Sequence, residues 1–85
     1  MDYDNTKNLR DELSHITEHL EKCEEINLQN YVEYNYEVKG NDQFGVHGKY
    51  RAIDKMIRGM HEQIRAIDEL IYCVESDFAK LNKKE

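Results

Sequence analysis

The stretch IDKMIRGMHEQIRAIDELIYCVESDFAKL, residues 53–81, decides the fold of this chain. Its apolar residues recur at alternating spacings of four and three, at Ile53, Ile57, Met60, Ile64, Ile67, Ile71, Val74, Phe78 and Leu81. A lone amphipathic helix on a globular core follows a 3.6-residue period, whereas the four-three alternation is typical of coiled-coil packing. The pattern predicts one long helix, over residues 49–82, that packs lengthwise against another helix.

A shorter seam of the same kind lies in the N-terminal half, at Leu9, Leu13, Ile16, Leu20 and Cys23. The next two seam positions hold Asn27 and Asn30, and asparagine is unfavourable inside a helix. The first helix is therefore predicted over residues 5–28. Pairing the two seams about Gly40 gives an antiparallel hairpin that forms a single domain over residues 1–85 and leaves Phe78 and Leu81 beyond the start of the first helix.

The segment VEYNYEV, residues 32–38, alternates apolar and polar residues with a period of two. Such alternation of valine and tyrosine favours a strand, and a turn at residues 40–42 would pair it with residues 43–47. The prediction is a mainly α protein, an antiparallel helical hairpin with a short β-hairpin or bend over residues 31–48 between its helices. The alternative is an all-α two-helix hairpin, in which the tyrosines form a side stripe.

Length and charge limit the classes of function. A chain of 85 residues buries too little surface to be more than marginally stable alone, so self-association or a partner is expected. The net charge of -6 argues against direct nucleic-acid binding, because phosphates require a positive face. The chain has no apolar run of roughly 20 residues and no signal-peptide pattern at its start. We therefore expect no membrane association, and a cytoplasmic location or export without a cleaved signal peptide.

Chemical motifs are few. His15 and His19 match the H-x-x-E-H pattern of some zinc hydrolases, but both fall outside the seam and no further ligand accompanies them. They are weak metal candidates on a solvated face. No nucleophile constellation or phosphate-binding loop is present, so we expect no enzymatic activity and no cofactor. Cys23 and Cys73 are expected to be small buried residues, too far apart along the hairpin to form a disulfide.

These observations favour a non-enzymatic interaction protein. We expect a small acidic adaptor or inhibitor, of the kind that phages and bacteria encode, which forms a homodimer or higher oligomer and binds another, unidentified protein. The interface is predicted to use a strand edge at the bend and the apolar end of the second helix. Its candidate residues are Tyr34, Tyr36, Val38, Phe44, Val46, Val74, Phe78 and Leu81.

Two layouts resemble known families. The order helix, β-hairpin, helix with heptad seams resembles a miniature β-type prefoldin subunit, which implies a chaperone. The all-helical alternative resembles the WXG100 group of helical-hairpin proteins exported by type VII secretion, because Phe44-Gly45 stands at the turn and Tyr50 to Asp54 match Y-x-x-x-D. That resemblance implies an exported protein, or a partner of a secretion substrate. The chain has no tryptophan.

Overall fold

The chain folds into two long helices. The computed structural model describes residues 3–83, and the side chains of residues 6–82. Helix α1 spans Tyr3–Val38 and helix α2 spans Val46–Lys83. Contacts join Arg10 to Glu75 and Glu24 to His61, and in both pairs the residue numbers add to 85. A constant sum requires the helices to run antiparallel, so the predicted helical hairpin is confirmed.

The predicted β-hairpin is wrong. Residues 31–38 continue α1, and no strand occurs among residues 3–83. Tyr34 is half-buried while Tyr36 is 83% exposed, as two positions separated by two residues on a helix must be. Tyr34 follows Asn27 by seven residues and packs against α2, so a tertiary contact with helical spacing outweighs the local preference of valine and tyrosine for strands. The all-α alternative is the fold.

The bend consists of only seven residues, 39–45, because both helices extend further than predicted. Lys39 and Gly40 adopt positive φ angles of 50° and 86°, a left-handed conformation that ends α1. The Lys39 amide donates to the Asn35 carbonyl at 3.2 Å and satisfies one of the last carbonyls of the helix. At the other side of the bend, Asp42 accepts hydrogen bonds from the amides of Val46 and His47, at 2.8 and 3.3 Å, and caps the start of α2.

The core is a single row along the hairpin. Among the side chains of residues 6–82, only Leu13, Leu20, Ile57 and Ile71 are well buried, at 5–8% exposure. They belong to positions seven apart that we call the central row, which comprises Leu13, Leu20, Asn27 and Tyr34 on α1 and Tyr50, Ile57, Ile64, Ile71 and Phe78 on α2, none of them exposed. The contacts from Arg10 to Glu75 and from Glu24 to His61 place the two rows opposite each other, so that the numbers of facing residues add to 84. Pairing the seams about Gly40 predicts a sum of 80. With the observed sum, Phe78 consequently lies opposite Thr6 and does not project beyond α1.

The hairpin exposes far more surface than a compact protein of its mass. Its radius of gyration is 19.8 Å and its extents are 69 × 16 × 12 Å, whereas a compact domain of this length has a radius of about 12 Å. The accessible surface is 7242 Å², and a compact monomer of 10.2 kDa exposes about 5,300 Å². The excess, about 1,900 Å², is the surface that two helices without a third layer leave uncovered.

Candidate interaction surface

The two sides of the central row differ in chemistry. On each helix, the residues three before and four after a central position form one side, and those four before and three after form the other. We call the first side the polar flank; it comprises Arg10, Thr17, Glu24 and Tyr31 on α1 and Asp54, His61, Asp68 and Glu75 on α2. We call the second side, away from the bend, the apolar flank; it comprises Leu9, Ile16 and Cys23 on α1 and Ile53, Met60, Ile67, Val74 and Leu81 on α2, and toward the bend the same side continues with Asn30, Glu37 and the half-buried Val46.

The polar flank is where the helices contact each other beyond the central row. Arg10 Nη2 lies 2.8 Å from Glu75 Oε1, and His61 Nε2 lies 3.0 Å from Glu24 Oε1. Most side chains of this flank are half-buried, although charged and polar groups ordinarily stay exposed. The helices are therefore rotated so that the polar flank faces inward, toward the neighbouring helix.

The apolar flank is left open by the same rotation. Since the polar flanks of both helices meet on one side of an antiparallel pair, the apolar flanks share the opposite side. All eight of their side chains are exposed, including Ile16 at 44% and Ile67 at 39%. Met56 and Leu70 widen this surface on α2, and Ile26 widens it on α1; all three are more than half exposed. Monomeric proteins seldom expose so many apolar side chains on one side, so the apolar flank is the candidate interaction surface.

A polar and aromatic cluster closes the bend end. The Tyr34 hydroxyl donates to Asp42 Oδ1 at 2.6 Å, and the rings of Tyr31 and Tyr34 lie 5.3 Å from the His47 ring. Tyr50 packs edge-on to Tyr31, at 6.2 Å between ring centroids. His47 Nδ1 lies 3.6 Å from Asp42 Oδ2, and His47 Nε2 is buried without a hydrogen-bond partner among the described residues. The cluster ties the last two turns of α1 to the first turn of α2.

Hydrogen bonding at this cluster shifts the pKa values of three groups, Tyr34, Asp42 and Tyr31. The hydrogen bond to Asp42 raises the pKa of Tyr34 to about 12, because the neutral phenol is the donor. The same bond, together with the Val46 and His47 amides, lowers the pKa of the Asp42 carboxyl. Asn35 and then Arg51, through side-chain hydrogen bonds, lower the pKa of the Tyr31 hydroxyl. The hydrogen bonds thus stabilise a charged Asp42 at the N-terminus of α2 and a neutral Tyr34 beside it, an arrangement suited to fixing the bend.

The predicted interface residues are spread over both ends of the hairpin. Tyr34, Val38 and Val46 are half-buried around the bend, and Tyr36 and Phe44 point into solvent there. Val74 and Leu81 belong to the apolar flank, whereas Phe78 lies in the central row. Their contact with a partner stays a prediction. The sequence did not indicate that Leu9, Ile16, Cys23, Ile53, Met60 and Ile67 stay exposed beside Val74 and Leu81, because the four-three pattern marks the seam and does not show which side of it stays open.

The metal candidates and the cysteines lie at the surface. His15 and His19 are exposed on α1, and within residues 3–83 no group of three or more His, Cys, Asp or Glu side chains is arranged to hold a metal ion. Cys23 and Cys73 are both exposed, so the prediction that they are buried is wrong. Cys23 lies in the apolar flank.

An open groove of about 550 Å³ runs along the polar flank near the bend. Glu21, Glu24 and Glu25 line one wall, and Arg51 and Arg58 line the other. Arg58 Nε is paired within its own helix, 3.1 Å from Asp54 Oδ2. With Asp54 and Lys55, which also line it, the groove carries four carboxylates against three cationic side chains, so most of its charge is compensated.

Comparison of the chain with protein-family models, with curated proteins and with solved structures finds no match. Neither helix, over residues 3–83, combines the length and the hydropathy that crossing a bilayer requires. The β-hairpin on which the likeness to prefoldin rested does not form within the described residues, while the all-helical layout that resembled the WXG100 group does. The class that the fold defines is an elongated antiparallel helical hairpin with one open apolar side.

Proposed function

We propose that this protein is a non-enzymatic interaction module that works as a homo-oligomer, assembled through the apolar flank. The observation that supports the proposal is the continuous exposure of eight seam side chains on one side of a two-helix hairpin. The flank has the composition of a helix-bundle core, and covering it with helices supplies the missing third layer. A second copy of the chain carries a surface of the same shape and length.

The exposed surface is large enough for this role. A stable interface of standard size buries roughly 800 Å² on each partner. The hairpin exposes about 1,900 Å² beyond a compact monomer of its mass, so one flank-to-flank contact of standard size still leaves part of this excess in solvent. With only four well-buried side chains in the hairpin, association adds apolar burial that the single chain lacks.

Molar mass in solution tests the proposal. At tens of micromolar, light scattering is expected to give at least twice the 10.2 kDa chain mass for the wild type. Ile67→Asp places a charge at the centre of the flank and should lower the mass to that of one chain. Leu28→Asp is the matched control, since Leu28 is exposed outside the flank, and it should leave the mass unchanged. A wild-type monomer contradicts the proposal, as does an Ile67→Asp variant that keeps the wild-type mass.

The target of the assembled protein is proposed to be a basic protein. Exposed carboxylates crowd the outer face of α1, at Asp11, Glu12, Glu18, Glu21 and Glu25, and the chain carries a net charge of -6. Such a field attracts positively charged surfaces and weakens with ionic strength, because the Debye length falls from about 10 Å at 0.1 M salt to 3 Å at 1 M. Binding that resists 1 M salt contradicts this choice of target.

A second candidate is the exported helical-hairpin class that the all-helical layout resembles. Phe44 and Gly45 occupy the bend, and Gly45 has a φ angle of 65°, so the glycine is needed where the chain turns into α2. Accumulation of the protein in culture medium, lost when the secretion ATPase is deleted, would support this candidate. Protein that stays with the cells in both strains would sink it.

A further inference from the structure

We infer that the second copy packs on the apolar flank with both bends at the same end, so that α1 of each copy lies against α2 of the other. In this arrangement Glu33 pairs with Lys49 of the second copy, and Ile26 packs against Met56 of the second copy. The inference rests on the proposed self-association and specifies its geometry: a four-helix bundle whose twofold axis runs along the long axis of the hairpins.

The angular positions on each helix leave room for one more neighbour. The polar flank and the central row face the other helix of the same chain, as the contacts from Arg10 to Glu75 and from Glu24 to His61 show. The exposed apolar residues lie about a quarter-turn away around each helix. In a four-helix bundle each helix has two neighbours about a quarter-turn apart and a shared core between them. The apolar flank then occupies the shared core.

The next row outward decides the orientation of the second copy. This outer row, on the far side of the apolar flank, comprises Glu12, His19, Ile26 and Glu33 on α1 and Lys49, Met56, Gln63 and Leu70 on α2. A twofold axis along the bundle keeps every residue at its own height, so pairs between copies follow the same numerical register as pairs within the chain. Nearest the bend, Ile26 with Met56 and Glu33 with Lys49 both add to 82, close to the sum of 84 in the central row. Farther from the bend the same sum sets His19 against Gln63 and Glu12 against Leu70.

The two pairs nearest the bend, Ile26 with Met56 and Glu33 with Lys49, are complementary in chemistry. Ile26 and Met56 are large apolar side chains, exposed at 57% and 70%. Glu33 and Lys49 are exposed, and neither forms an ion pair with another described residue. By symmetry each pair forms twice in the dimer, which places an apolar contact and an ion pair on both sides of the bundle near the bends.

The opposite orientation loses both pairs. With bends at opposite ends, α1 lies against α1 and α2 against α2, so Ile26 never meets Met56. Centred on Ile16 and Ile67, the middle of the apolar flank, that orientation places Met56 against the region of Asp77 and carries Glu33 past the start of the second α1. Exposed apolar groups then face polar ones, and the charged pair is absent.

Cysteine cross-linking tests the orientation. In a chain carrying Cys23→Ser and Cys73→Ser, the added substitutions Ile26→Cys and Met56→Cys should give a covalent dimer under mild oxidation, seen on a non-reducing gel. The controls are the chains with only Ile26→Cys or only Met56→Cys. Neither should cross-link, because residue 26 on α1 faces residue 56 on α2 of the second copy and does not face its own equivalent. A dimer by light scattering whose double-cysteine form stays uncross-linked overturns the orientation and leaves the proposed function standing; a monomer overturns both.

Charge reversal gives an independent test in the native cysteine background. Glu33→Lys and Lys49→Glu should each weaken the dimer at least about fivefold, because two exposed ion pairs, together about 1 kcal/mol, are lost and like charges then repel each other in their place. The two substitutions together should restore the wild-type dissociation constant, measured by sedimentation. Additive weakening in the double variant, with no restoration, overturns the pairing of Glu33 with Lys49.

Discussion

Leu13→Ala tests the assignment of the central row as the core of the hairpin. Leu13 is 7% exposed and lies opposite Ile71, in the best-buried part of the chain. The substitution removes three carbons, worth about 0.8 kcal/mol each as buried methylenes. A rigid core adds a penalty for the cavity, and losses for leucine to alanine reach about 5 kcal/mol. Two helices with one open side can close partly over the gap, so we expect a loss of about 2 to 3 kcal/mol in the free energy of unfolding.

The measurement is urea unfolding followed by far-ultraviolet circular dichroism, at one fixed protein concentration because association makes stability depend on concentration. A chain of 85 residues has a total stability of about 4 to 13 kcal/mol, so the expected loss is a large fraction of it. Leu28→Ala makes the same chemical change at a side chain that is 63% exposed and should alter stability by less than about 0.5 kcal/mol. Equal losses in the two variants would refute the central row as the core.

Other perturbations probe the bend and the polar flank. The lowered pKa of Asp42 predicts that its contribution to folding stability is present above the pKa of an unfolded aspartate, about 3.9, and is lost as the pH falls through the pKa of the folded state. Asp42→Asn should remove this loss of stability from an acid titration. The raised pKa of Tyr34 predicts a contribution present below pH 10 and lost as the pH rises through about 12, which Tyr34→Phe should abolish in an alkaline melt. Lys39→Gly should stabilise the hairpin by about 0.5 to 1 kcal/mol in urea unfolding, because the native φ angle is 50°. Arg10→Ala should cost no more than about 1 kcal/mol, since its pair with Glu75 is solvent-exposed; a larger loss in the melt would contradict this.

The sequence was a good guide to α2 and a poor one to the end of α1. The four-three spacing predicted a helix over residues 49–82, and the helix observed is Val46–Lys83. At residues 32–38 the period-two alternation of valine and tyrosine was mistaken for a strand. Tyr34 continues the seven-residue row that holds Leu20 and Asn27, and its ring packs on Tyr50 and His47. Strand preference reflects side-chain packing, and here the available packing partner was a helix.

The register could not be read from the seams, because shifting the pairing by four residues, from a sum of 80 to one of 84, still places apolar seam residues such as Leu13 and Leu20 opposite Ile71 and Ile64. Polar contacts distant in sequence select among them. Asn27 occupies a central-row position where an apolar residue would serve packing better, and its amide donates to the Tyr50 carbonyl at 3.1 Å. Asp42 joins Tyr34 to the start of α2. Spacing alone does not show which asparagine ends a helix and which one fixes its alignment with a neighbour.

The two ends of the hairpin have different physical roles. Polar groups at the bend, Asn27, Tyr34 and Asp42, fix the alignment of the helices, and a single offset places Arg10 on Glu75 about 42 Å from the bend, at 1.5 Å per helical residue. That alignment turns the polar flank inward and leaves the apolar flank outside along the remaining length. Because the hairpin has so small a core, the surface exposed in this way is also the surface whose burial stabilises the fold. If the chain associates as proposed, folding and association are coupled, and a charge on the apolar flank should lower the melting temperature as well as the molar mass.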